Sequence, residues 1–528
     1  MTEHLVIVPI LLPLASAALL LLLGNQRRRT AAGVSIVASV LLLVAALSLA
    51  GLADGRELSA TYRLGDWPTA VAIVLVADRL AILMVVLAAI LGLVNSVFSL
   101  GRWTQMGPYQ PVFAQLLMMG LNGAFLTGDL FNLFVFFEIL LAASYALLLH
   151  GSGPRRVSAG LHYIVINLVA SLLFLVGVSL IFGVTGTLNM AVLAQQVSTL
   201  GPDTRALFHA GASVLGVAFL IKAAAWPMGF WLPRTYEAAI PPAAAMFAIM
   251  TKVGIYALLR LGLIGFGPAA GPSEGYGLEV IFLLGMMTIG VGVVGMLAAR
   301  DLGRMAGYSV LISAGTLLAA LVFRDPTVLT GALLYLVIST LAASAFYLLA
   351  GLVAADGGDE FEDPSLLEAY DPDGDGLYRG EDERAVVIPT PVGILSAGFL
   401  ICTLLIAGIP PLPGFLAKVA MISPLLQAPE APWIEAGPLL AAALIASSLF
   451  ALIAMARAGI QMWWTEGGRI ASTIRLHEGL AAGALIFGLL LLMVFVQWPL
   501  AFIQAAAVEL MDPTIYIESV LGREEAQP

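Results

Sequence analysis

Four ionisable side chains stand inside otherwise apolar runs. They are Glu138 in DLFNLFVFFEILL, Lys222 in GVAFLIKAAAWP, Lys252 in AIMTKVGIYALL and Lys418 in GFLAKVAMISPLL. These three lysines are the only ones among 24 basic residues, and every basic residue in an evident loop is arginine. A charged side chain at the centre of a bilayer costs roughly 2.5–3.5 kcal/mol or more, so buried charges mark function. Low dielectric disfavours the ammonium form of an amine, which lets lysine exist in both protonation states near neutral pH. Arginine stays charged. The chemistry open to these residues is therefore reversible proton binding. A carboxylate at Glu138 that approaches or leaves Lys222 would bias its proton, and a row of amines linked by water and hydroxyls would relay protons along the membrane plane. A buried ion pair holding two helices together is the competing reading for Glu138 and Lys222. It leaves Lys252 and Lys418 without a mid-span acid. His162, in GLHYIVINLVAS, is a further candidate relay or a support for Glu138.

The elements that position these groups follow from composition. Hydrophobic residues make up 60% of the 528 and charged residues 11%, against about 25% charged in soluble domains. The pattern predicts an all-α polytopic membrane protein with about fourteen spans, each near the roughly 20 residues a crossing helix needs. The spans are continuous rather than alternating, which excludes a β-barrel. They include 72–99, 112–126, 130–149, 160–183, 208–231, 241–264 and 390–426. Asp129 is placed to cap the helix that carries Glu138. Nine residues further on, at 1.5 Å each, Glu138 lies about 13–14 Å deep, close to the midplane. Two spans are interrupted: the Lys222 run at Pro227, and the Lys418 run at Pro410, Pro411, Pro413 and Gly414. Paired interrupted spans point to a transporter with two related halves.

The first span has an acid before it and Arg27 to Arg29 after it, the reverse of a signal peptide. It is expected to remain as a first helix with its N-terminus outside. The arginines divide fourteen inside to seven outside in that topology, in keeping with the positive-inside rule. An acidic segment, 355–385, then falls in the cytoplasm. Within it Asp371, Asp373, Asp375, Gly376 and Asp382 match the spacing of a calcium loop; a solvated acidic loop is the competing reading. The single cysteine, Cys402, allows no disulfide within the chain. The sequence has no glycine-rich nucleotide loop, no CxxC and no HExxH, so no cofactor is expected. The formal charge of −10 resides largely in loops and implies no nucleic-acid partner.

The segments TGDLFNLFVFFEI, NLVASLLFLVGVSLIFGVTGTLNMA, FLIKAAAWPMGFWLPRTYEAAIPPAAAMFAIMTKVGIYALLR and GIPPLPGFLAKV resemble the antiporter-like subunits shared by complex I and the Mrp cation/proton antiporters, the D-type subunits of Mrp most of all. The likeness covers roughly 70–460. It implies a fourteen-helix core of two inverted five-helix repeats, each with a broken helix. It also implies that Glu138, Lys222, Lys252 and Lys418 are the proton-path residues of the fifth, seventh, eighth and twelfth helices. The expected division is N-terminal helices 1–111, a first repeat 112–264, a second repeat 277–458, and a last helix with tail 459–528. The implied setting is a bacterial plasma membrane, and the implied partners are lipid, protons, sodium as the exchanged cation, and subunits of the A, B, C, E, F and G types. The chain departs from the family in YLVISTLAASAFYLL, where only Tyr335 is ionisable, so the link from Lys252 to Lys418 is expected through water and hydroxyls such as Ser339 and Thr340. His162 stands where a lysine is common. The alternative is a proton-pumping subunit of a complex I-like or membrane-hydrogenase assembly. An intramembrane enzyme would need clustered catalytic groups, and the five histidines are scattered.

Overall fold

With no water in a bilayer core to satisfy backbone amides, long apolar runs must close their hydrogen bonds internally as helices. The computed structural model describes residues 3–24, 27–54, 59–66, 73–107, 109–354, 390–427, 436–464 and 474–522. The acidic segment 355–385 and its calcium-loop candidates Asp371, Asp373, Asp375 and Asp382 lie outside the described residues.

Three helices open the chain, α1 (Val8–Leu23), α2 (Arg28–Ala53) and α3 (Arg79–Phe98), with the strands β1 (Ala60–Arg63) and β2 (Val74–Ala77) before α3. A short α4 (Arg102–Gln105) follows. The next helices are α5 (Gln110–Leu126), α6 (Leu130–Leu148), α7 (Pro154–Thr185), the surface helix α8 (Met190–Val197), α9 (Pro202–Lys222), α10 (Trp231–Ala238), α11 (Pro241–Phe247) and α12 (Met250–Phe266). Then come α13 (Leu278–Ala298), α14 (Leu302–Ala320), α15 (Pro326–Ala354), α16 (Thr390–Ala407), α17 (Pro413–Leu425) and α18 (Ala436–Trp464). The chain closes with α19 (Leu476–Val494), α20 (Gln497–Met511) and α21 (Pro513–Leu521).

Among the described residues 12 spans are long and apolar enough to cross a membrane, with α11 and α12 counted as one, and the C-terminal pair α20–α21, bent by 81°, makes up to 13. α1 and α17 are apolar but shorter. The expected span 72–99 begins as strand: β2 pairs antiparallel with β1, Ala60 opposite Ala77, and α3 starts only at Arg79, where Asp78 accepts the Ala81 amide at 2.8 Å. The expected span 390–426 is two half-helices, α16 and α17. Helices alternate in direction, so α5 runs toward the membrane face that carries the β1–β2 hairpin, and α13 runs away from it. The two five-span units that they open are thus inverted relative to each other. α15 is the central strut, buried along most of its 29 residues.

Arg260, one of the seven arginines that the sequence assigns to the outer side, is 2% exposed and part of α12. A second interior charge holds the periphery. Glu478, fully buried in the first turn of α19, receives Arg102 Nε and Nη2 at 2.8 and 2.7 Å. Removing one partner of a fully buried pair costs about 3–5 kcal/mol, and less here because the Arg102 side chain left behind is 27% exposed. Glu478→Ala is therefore expected to lower the unfolding temperature of the purified protein, whereas replacing the exposed Glu279 of α13 should leave it unchanged.

Candidate proton-transfer site

α6 starts where Asp129 accepts the Asn132 amide at 2.8 Å, which fixes the register that carries Glu138 into the bundle, half-buried. Ser171 of α7 donates to the Glu138 carboxylate. Its hydroxyl also lies 3.0 Å from the Asn167 carbonyl, so one proton has two acceptors to choose between. Next door, the Phe137 ring lies 5.8 Å from Lys222 Nζ, within cation–π range. Among the described residues no ion pair joins Glu138 to Lys222.

Lys222 is the last residue of α9, not the middle of a continuous span. The helix stops because Ala224 adopts the left-handed conformation, φ 56°, with the Ala224 and Ala225 amides donating back to Ile221 and Leu220. That is the Schellman arrangement, and proline follows it here as it often does. A left-handed non-glycine residue costs roughly 1–2 kcal/mol. Gly229 makes the turn possible, since a Cβ there would lie 2.0 Å from the Ala224 carbonyl oxygen. The freed Trp226 amide donates to Thr288 of α13 at 2.9 Å. The break leaves Lys222 at the negative end of a half-helix dipole, a favourable place for a cation. The same break is packed flush on α12: a Cβ on Gly254 would lie 2.6 Å from the Ala223 nitrogen and the Phe219 oxygen.

Two residues before Gly254 stands Lys252, 1% exposed. Its Nζ donates to Ser313 Oγ of α14 at 3.0 Å. Ser313 in turn lies 2.8 Å from Ser339 Oγ of α15. Beyond Ser339 a cavity of about 20 Å³ is lined by Tyr335, Ser339, Gly414, Ser447 and Lys418, room for about one water. On its far side Lys418 of α17 donates to the Ala407 carbonyl at 3.1 Å and to Ser448 Oγ of α18 at 2.6 Å. Ala407 ends α16, so this amine too sits at a half-helix C-terminus. α9 and α16 enter from opposite faces, and each presents its C-terminal end to a lysine.

The structure thus lines up Lys252, Ser313, Ser339, the cavity and Lys418, with Glu138 and Lys222 at one end. Ser448 was not singled out from the sequence, because serine is common in membrane helices and only the fold shows which hydroxyl meets an amine. The hydroxyl of Thr340, expected beside Ser339, donates to the Leu336 carbonyl within its own helix. His162 lies on the exposed side of α7, where its Nδ1 meets the Ser158 carbonyl at 2.8 Å. It lines an open pocket with Trp226, Phe230 and Arg304, nine residues from the Ser171 that touches Glu138.

Two inverted helical units, two half-helix breaks and three lysines set among apolar helices mark an antiporter-like membrane subunit. Residues 127–372 match the family model described as NADH:quinone oxidoreductase/Mrp antiporter, transmembrane. The chain is 47% identical, over 99% of its length and 98% of the relative's, to a protein named as the D-type subunit of a probable K(+)/H(+) antiporter from Rhizobium meliloti. It is 34% identical, over 87% of each, to the D-type subunit of the Na(+)/H(+) antiporter of Alkalihalophilus pseudofirmus. A chain of the Mrp complex from Dietzia sp. superposes with TM-score 0.82 at 25% identity, covering 99% of this chain and 100% of that one. A chain of respiratory complex I from Thermus thermophilus, at 23% identity and TM-score 0.76, shares the fold. The chain belongs to the family of D-type subunits of the Mrp cation/proton antiporters.

Proposed function

We propose that this chain is the proton-translocating subunit of a multi-subunit monovalent cation/proton antiporter in a bacterial plasma membrane. It acts there with subunits of the A, B, C, E, F and G types, as a secondary transporter rather than an enzyme. Named relatives include both K(+)/H(+) and Na(+)/H(+) antiporter subunits, so the exchanged ion is a monovalent cation of that class. The reading rests on one observation: Lys252, Ser313 and Ser339 form a continuous hydrogen-bonded line that reaches the cavity below Lys418. Protons enter beside Glu138 and Lys222, pass Lys252, and leave through Lys418. His162, open to the pocket on the face opposite the hairpin, serves as a relay at the inner entrance. The hairpin face is outward and 355–385 cytoplasmic. The units 112–264 and 277–458 are the two halves of the path, flanked by 1–111 and 459–528.

The test is cation-driven proton movement in vesicles that contain the whole complex. Lys222→Ala and Glu138→Gln are each expected to lower the rate about a hundredfold, the low end of what one positioned proton-transfer group contributes. Full antiport in both would defeat the reading.

A further inference from the structure

A second set of polar residues runs from Lys252 along α12 itself, whereas the first line crosses to α14 and α15. Lys252, Tyr256 and Arg260 are spaced four apart, so they share one face of α12 and span about 12 Å along it. All three are buried. The line runs from mid-membrane toward the hairpin face and ends in a set of closed contacts. Arg260 Nη1 and Nη2 donate to the two oxygens of Asp78 at 2.6 and 2.7 Å. Nη2 also donates to the Tyr256 hydroxyl at 2.6 Å, and that hydroxyl donates to the Phe125 carbonyl at 2.5 Å. The guanidinium carbon lies 4.9 Å from the Tyr256 ring centroid and 5.2 Å from that of Tyr516, which belongs to α21. On the hairpin side of Asp78 there is a cavity of about 20 Å³, lined by Ser59, Asp78, Arg79 and Glu509. A water-sized space and a carboxylate thus reach within one residue of a column that leads to Lys252.

We propose that Arg260, held by Asp78 and the Tyr256 and Tyr516 rings, is an electrostatic plug that closes an outward branch at Lys252 and so forces protons sideways to Lys418. The inference deepens the proposed function and rests on it. The contacts explain why the branch is closed although it is polar. A proton leaving Lys252 by this route must next protonate the Tyr256 oxygen. That oxygen has its own proton committed to a carbonyl and a guanidinium donating to it. An arginine beside a pore excludes protons and cations in this way. The division of labour matches the composition: lysines, which release protons, stand along the path, and an arginine, which does not, stands across the branch. Asp78 neutralises the plug, so the site holds a barrier to an added charge without carrying a net charge. α21 supplies the Tyr516 ring, and Glu509 of α20 binds Arg79 at 2.9 Å. The bent C-terminal pair therefore forms the lid over the plug.

The experiment is passive proton leak into liposomes that hold the whole complex, in choline medium with a lipophilic anion for charge balance and no sodium or potassium. Arg260→Gln/Asp78→Asn keeps the hydrogen-bonding groups without charge and is expected to raise the leak about tenfold as the barrier is lost. Arg260→Lys keeps the ion pair but allows proton release, and is expected to leak at an intermediate rate; an ion pair with a purely structural role predicts native tightness for it. Adding Lys252→Met to either variant should return the leak to the native level. An assembled neutral pair as tight as the native complex overturns the proposal, and so does a leak that survives Lys252→Met. If the neutral pair does not assemble, Arg260→Lys decides alone, and native tightness there overturns the proposal. These readings need no cation exchange, so they are independent of the antiport rates of Lys222→Ala and Glu138→Gln.

Discussion

Lys252→Met is expected to abolish antiport while leaving the fold as stable as before or more so. The two halves of that statement have one cause. Lys252 is enclosed on all sides, and its amine has one hydrogen-bonding partner among the described residues, Ser313. A buried charge without a counter-charge costs several kcal/mol in low dielectric. Methionine has nearly the same shape and no such cost, so the unfolding temperature of the purified complex should hold or rise. Transport should fall to background because the hydrogen-bonded line toward Lys418 starts at this amine. Lys222 is half-buried, so water can partly stand in for it, whereas Lys252 is 1% exposed. Lys252→Arg sharpens the point. It preserves the charge and fails to release the proton, so it too should be inactive. Antiport in vesicles and thermal unfolding of the same preparation are the two measurements. An active Lys252→Met would remove Lys252 from the path.

How far the sequence discloses this arrangement depends on how rare each residue is in its surroundings. Glu138, Lys222, Lys252 and Lys418 are legible because a charge in an apolar run has few innocent explanations. The breaks at Pro227 and at Pro410–Pro413 are legible for a similar reason, since proline lacks the amide that a helix needs. Their consequence is harder to read. Sequence places Lys222 well inside a span, yet the left-handed Ala224 that ends the helix beside it is an alanine, which carries no signal of a turn. The hydroxyl partners are illegible one by one. Ser171, Ser313, Ser339 and Ser448 look like Ser144 or Thr340, which bond within their own helices or to a neighbouring tyrosine, and tertiary packing alone sorts them. His162 shows the limit of depth arguments: it lies in the right span but on the face turned away from Glu138. Arg260 fails in the opposite direction. Near a span end it reads as a loop residue, because its partner Asp78 is 182 positions away.

Lys418→Met is expected to stop antiport as completely as Lys252→Met, and Gly408→Ala to reproduce most of that loss without touching a titratable group. Gly408 follows the last residue of α16 with φ 71°, and its amide and that of Ile409 both donate to the Leu404 carbonyl at 2.9 and 3.0 Å. A side chain in that conformation costs roughly 1–2 kcal/mol. More importantly, a Cβ at 408 would lie 2.9 Å from Lys418 Cδ and 3.2 Å from Nζ. The lysine stem is flexible, so it is the lysine that yields. Its amine then leaves the Ala407 carbonyl and Ser448, and withdraws from the cavity that links it to Ser339. Catalytic geometry of this kind is lost with displacements of about 1 Å, at a cost of up to about a hundredfold in rate. The stability effects should not add. In a Lys418→Met background there are no amine hydrogen bonds for the added Cβ to displace, so Gly408→Ala should cost less than in the native chain, with a coupling of about 0.5–3 kcal/mol. Gly393, where an added Cβ meets nothing within 4 Å, is the control: Gly393→Ala should be active and uncoupled from Lys418. Antiport rates and unfolding temperatures across this set decide whether the glycine serves the amine or only the turn. Strict additivity of Gly408→Ala and Lys418→Met would mean the turn alone.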